Sequence, residues 1–116
     1  MNILTRLLIS TISIMVVSYI LPGVELSSLY AAFVVAIILA LLNSIVKPIL
    51  IILTLPVTII TLGLFLLVIN GIIVLIANHF IDGFSVSNLF TAVVFSILVS
   101  LINGLLGLNS DKEKKS

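Results

Sequence analysis

The side chains able to do chemistry are few, and their types limit what that chemistry is. His79 and Asp82 stand three apart, a spacing at which a helix brings an imidazole and a carboxylate together as an acid–base pair. There is no second histidine and no cysteine to complete a nucleophilic or metal-ligating set. The pair therefore reads as interfacial polarity at a helix end, and neither an enzyme nor a bound metal or other cofactor is expected. A Gly-rich phosphate loop and a basic aromatic surface are both missing, and a net charge of +1 makes no electrostatic case for nucleic acid. What remains is three amides, Asn43, Asn70 and Asn103, set in otherwise apolar sequence. An unpaired amide in hydrocarbon costs several kcal/mol, so each needs a partner. The choices are a hydrogen bond across helices, a polar path or an oligomer interface.

The elements that must hold these amides are membrane spans. Of 116 residues 62% are hydrophobic and 8% charged, against about 45–50% and about 25% in ordinary globular domains. A mean hydropathy of +1.53 cannot be hidden inside so small a soluble core. The nine charged residues leave four uncharged runs, 7–24, 26–46, 48–81 and 83–110, of 18 or more residues each. A helical span needs about 20. The unbroken apolar stretch 37–42 excludes the alternation of a transmembrane barrel. With four spans, Arg6, Lys47 and the tail lysines Lys112, Lys114 and Lys115 fall on one side, and Glu25 and Asp82 on the other. That is the positive-inside pattern, with both termini cytoplasmic. Tyr19, Tyr30, Phe80, Phe84 and Phe90 lie near the two outer loops, as an interfacial belt would. Arg6 suits the basic end of a signal peptide, but no small-residue cleavage site follows Ile20-Leu21-Pro22, so the first segment is expected to remain as a span.

Sliding the chain against itself by 60 residues aligns 22–45 with 82–105, with eight identities in 24 positions: Gly23/Gly83, Ser27/Ser87, Leu29/Leu89, Ala32/Ala92, Val34/Val94, Ile37/Ile97, Leu41/Leu101 and Asn43/Asn103. A composition this biased gives roughly one chance match in ten. The first and third spans align more weakly. The expected fold is therefore an all-α integral membrane protein of four transmembrane helices, arranged as two parallel tandem hairpins. One membrane domain covers the chain. Repeat one runs over about 4–46, an insert over about 47–61, repeat two over about 62–108, and a charged cytoplasmic tail over 109–116. Pro48 and Pro56 bound the insert and forbid an undistorted helix from Val46 to Thr61. It is expected as a short interfacial helix or, alternatively, as the kinked start of the third span. Thr54, Thr58 and Thr61 stand ready to satisfy backbone groups the prolines free.

Small residues recur every fourth position on the second helix (Ala32, Ala36, Ala40, Ser44) and on the last (Ala92, Ser96, Ser100, Gly104), at matching repeat positions. Such stripes let helix backbones approach closely. The two are expected to face each other across a pseudo-twofold axis, within one chain or between chains.

The segment Leu41-Leu-Asn43-Ser-Ile-Val-Lys47-Pro48-Ile-Leu, with Leu53-Thr-Leu-Pro56-Val-Thr and Thr61-Leu-Gly63-Leu-Phe65-Leu-Leu-Val-Ile-Asn70, resembles the four-span phage holin family 4, or superfamily IV holins. The likeness spans nearly the whole chain, and Lys47, Pro48, Pro56 and Gly63 carry its motif. The family commonly has Arg where Lys47 stands. The resemblance implies a small protein of the bacterial cytoplasmic membrane whose partners are the lipid bilayer and further copies of itself or another membrane protein. The implied activity is oligomerisation into lesions. Relatives of chromosomal appearance imply an alternative, a non-lytic scaffold or envelope-stress accessory protein. A small transporter using Asn43, Asn70 and Asn103 is a third reading.

Overall fold

Seven elements follow one another in the computed structural model, which describes residues 2–107. They are α1 (Ile3–Ile20), β1 (Val24–Leu26), α2 (Leu29–Leu53), α3 (Leu55–Ile60), α4 (Phe65–Phe80), β2 (Phe84–Val86) and α5 (Leu89–Leu105). The tail expected at 109–116 lies outside the described residues. With 18 and 25 residues, α1 and α2 are long and apolar enough to cross a membrane, while α4 and α5 are apolar but shorter, at 16 and 17. At 1.5 Å rise per residue the shorter pair covers about 24–26 Å of a hydrocarbon core about 30 Å thick.

Three helix starts are capped by the residue types that favour caps. The side chains of Asn2, Ser28 and Asn88 accept from the backbone N–H groups of Thr5, Ala31 and Thr91 at 2.8, 3.1 and 2.8 Å. Each satisfies a donor that a helix start leaves unpaired, a contribution of about 1 kcal/mol. α4 begins differently: the Thr61 hydroxyl accepts from the Phe65 N–H at 3.2 Å and donates to the Val57 carbonyl at 3.0 Å.

The proline segment holds a short helix, but the break before it falls later than the first proline. Pro48 lies inside α2, which runs on to Leu53, and the break falls at Thr54; Pro56 then sits in the first turn of the six-residue α3. One proline deletes a single N–H bond, that of the Ser44 carbonyl, and a long apolar helix survives this loss. The threonine hydroxyls donate to carbonyls four back, Thr54 to Leu50 at 2.8 Å and Thr58 to Thr54 at 3.0 Å, so they close helix ends and not the proline gap. The chain leaves α3 through Leu62 at φ 58° and Gly63 at φ 88°. Nothing lies within 4 Å of a Cβ added to Gly63, so its backbone angle, not its space, calls for glycine.

The four longer helices form a ring in which α1 packs on α2, α2 on α4, α4 on α5 and α5 on α1. Between their ends β1 and β2 pair antiparallel, Val24 opposite Val86, Glu25 opposite Ser85 and Leu26 opposite Phe84. Two reciprocal bonds close this ribbon, Ser27 N–H to the Gly83 carbonyl at 2.8 Å and Ser87 N–H to the Gly23 carbonyl at 2.9 Å. Strand alternation turns Val24, Phe84 and Val86 into the core and leaves Glu25 and Ser85 exposed. Phe84 packs on Phe95 of α5, ring centroids 5.5 Å apart, and Phe95 is fully buried. Phe84 thus belongs to the core and not to an aromatic belt, because a strand's odd and even residues face opposite ways. Tyr19, Tyr30, Phe80 and Phe90 all remain exposed around the ribbon end.

Candidate functional site

Away from the ribbon the helices part, and a cavity of about 400 Å³ opens between them. Its lining runs from Ile3 to Ile14 on α1, from Ala36 to Lys47 on α2, from Asn70 to Val74 on α4 and from Phe95 to Asn103 on α5. Its floor is apolar, including Ile14, Val74 and Phe95, all buried. Its walls are polar: Ser10 from α1, Asn43 and Ser44 from α2, Asn70 from α4, and Ser96, Ser100 and Asn103 from α5. Arg6 and Lys47 are its charged lining residues, and both are cationic.

All three amides singled out in the sequence therefore reach one space, but not with equal partners. Asn103 accepts through Oδ1 from the hydroxyl of fully buried Ser13, which also lies 3.0 Å from the Ile9 carbonyl. A serine has one proton to give, so these two acceptors share it. Asn43 and Asn70 have no hydrogen-bond partner among the described residues. Their amides are available to whatever fills the cavity. The residue sixty positions after Ser13 is Ile73, also buried on this lining, which has nothing to offer Asn43.

Within one copy the small-residue stripes line this cavity. Ala36, Ala40 and Ser44 line it from α2, Ser96 and Ser100 from α5. Ala32 and Ala92 are buried nearer the ribbon, and Gly104 is half-buried beyond the lining. In the ring each of α2 and α5 packs on α1 and α4, so the two stand on a diagonal with no extended interface. Of the motif residues, Lys47 lines the cavity, Pro48 follows it in α2, and Pro56 and Gly63 flank α3. His79 and Asp82 are both exposed at the ribbon end, His79 with its ring against Phe80.

Sequence reasoning missed Ser10, Ser13 and Gly71. The serines stand three apart on one face of α1, a signal hidden by the commonness of serine. Gly71 sits where α4 and α5 come close: a Cβ there would lie 2.6 Å from Val93 Cγ2, 3.0 Å from Leu89 Cδ1 and 3.3 Å from the Val93 backbone nitrogen. A glycine inside an apolar helix was the available clue.

Comparison with known proteins follows this architecture along the chain. The model of the family described as Mycobacterial 4 TMS phage holin, superfamily IV, matches residues 1–105. Similar proteins include the uncharacterised membrane protein YvlD of Bacillus subtilis (strain 168), 38% identical over 101 residues that cover 86% of this chain and 85% of that protein. An uncharacterised protein of Streptomyces coelicolor is 40% identical over 77 residues, covering 63% of this chain and 62% of its own. No solved structure matches the chain. The family match runs from α1 through the ribbon to the end of α5, and on that ground the chain belongs to the superfamily IV phage holins, a family of membrane proteins built from apolar helices.

Proposed function

We propose that the protein is a holin-like component of the bacterial cytoplasmic membrane, spanning it four times with both termini inside, and that it works by self-association leading to permeation. The observation that carries this reading is the polar cavity itself. Nine polar or charged residues line a space inside a molecule whose exposed large hydrophobic side chains are mostly leucine and isoleucine. Serine and asparagine walls hold water where a purely packing bundle would hold methyl groups. One copy is closed at the ribbon end by Phe84 and Phe95, so conduction requires copies to join and the bundle to open. We also read the chain as two hairpins, about 4–46 and 62–108. Lining residues fall in pairs sixty apart, Ser10 with Asn70, Ala36 with Ser96, Ala40 with Ser100 and Asn43 with Asn103, and this supports a pseudo-twofold axis through the cavity.

Induced expression should depolarise cells, followed with a potential-sensitive dye, and Ser96→Leu should reduce the effect at equal membrane abundance by replacing a polar wall with an apolar one. An unchanged potential at high membrane abundance overturns permeation. A reporter active only in the periplasm, fused after Lys115, should stay silent; a strong signal overturns the topology. The sealed ribbon end favours a second reading, a non-lytic scaffold or envelope accessory protein, whose signature is a co-purifying membrane partner without depolarisation.

A further inference from the structure

The cavity combines features that a topology anchor alone does not need. Arg6 and Lys47 serve as positive-inside anchors wherever they meet the interface, yet both lie on the cavity lining. They come from α1 and α2, which pack directly against each other, so the cations belong to one wall. The positions sixty residues on are Leu66 and Gly107, so that charge has no counterpart opposite. Among the described residues no acid is on the lining; Glu25 and Asp82 stand beside the ribbon at the far end. A guanidinium carries five donors and an ammonium three, with no acceptor between them. Asn43 and Asn70 add amide donors that no described residue engages. The site is therefore rich in donors and poor in anions, and about 400 Å³ lies within the usual range for small-ligand pockets, about 300–1,000 Å³.

We propose that this cavity binds a phosphate group, held by Arg6 and Lys47 and completed by the amides of Asn43 and Asn70. The same chemistry is offered by the headgroup of an anionic phospholipid and by free phosphate. The inference rests on the membrane-embedded reading above but not on permeation.

The test uses the full-length chain in detergent and native mass spectrometry, titrating phosphatidylglycerol, phosphatidylcholine and inorganic phosphate separately. Wild-type protein should bind phosphatidylglycerol over phosphatidylcholine, and R6Q/K47Q should weaken that by about thirty-fold, the size expected for two lost cation contacts. Lys114→Gln with Lys115→Gln, which removes the same charge elsewhere in the sequence, should leave binding within about twofold. Ala40→Phe keeps both cations but fills the cavity, and should weaken binding at least as much as the charge variant does. Saturable binding of inorganic phosphate that depends on Arg6 and Lys47, with no lipid preference, supports the site and assigns it to the free anion. The proposal is overturned if neither probe binds, if the tail variant loses as much as R6Q/K47Q, or if Ala40→Phe binds normally. Depolarisation is measured separately, so a protein that binds lipid but leaves the potential intact refutes the proposed activity and not this site.

Discussion

The two ends of the bundle solve the same packing problem in opposite ways. At the ribbon end, Val24, Ala32, Ala77, Phe84 and Phe95 are all buried, and a two-stranded clasp ties the two halves of the chain together through backbone hydrogen bonds. At the other end Asn43, Ser44 and Ser100 are exposed on the cavity walls. Helices in lipid gain nothing from hydrophobic exclusion, so they stay together only where shapes interlock or polar groups pair. The ribbon end has both. Among the described residues the open end has one side-chain bond between helices, Ser13 to Asn103, while Asn43 and Asn70 face the cavity unpaired. Stability is thus concentrated at the ribbon, and adaptability at the cavity.

That contrast is open to breaking by substitution, read as unfolding free energy in detergent. Phe95→Ala should cost the most, about 3 kcal/mol, because the ring is fully buried against Phe84 and its removal leaves a void. A loss as small as that of a cavity-wall variant would mean the ribbon end is not the stable one. Gly71→Ala should cost about 2 kcal/mol, since the added methyl meets Val93 Cγ2 at 2.6 Å and the Val93 backbone nitrogen at 3.3 Å, and only the Leu89 Cδ1 end at 3.0 Å can yield easily. Smallest is the difference between equivalent amides: Ser13→Ala should cost about 1 kcal/mol by stripping Asn103 of its partner, whereas Asn43→Leu should change stability by less than about 0.5 kcal/mol. Equal costs would show that Asn43 has a partner of comparable strength.

Much of the fold was legible because apolar runs and charge breaks report helix boundaries directly. The third run illustrates the limit. Its prolines signal a break, yet α2 passes through Pro48 and stops at Thr54, because losing one hydrogen bond is cheaper than ending a helix. The ribbon also had a signal, Val24-Glu25-Leu26 and Phe84-Ser85-Val86 alternating after matched glycines, but three-residue strands are too short for alternation to stand out. At the candidate site the amides and small residues were visible as types and spacings. Which helix each would face was not, since a stripe of small residues fits any neighbour that comes close. Within one copy the ring sets the two stripes on a diagonal across the cavity, an arrangement their spacing does not specify.

Composition and periodicity alone determined that this chain lives in a membrane as apolar helices, since hydropathy and charge act through each residue's own transfer energy and need no partner. Only the tertiary arrangement decided that Arg6, Lys47 and three asparagines share one space, that Ser13 serves Asn103 while Ile73 leaves Asn43 free, and that Phe84 seals the far end. Those outcomes depend on how helices rotate and cross, and in lipid that is settled by close contacts at single residues such as Gly71, whose consequences appear only when the whole bundle is assembled.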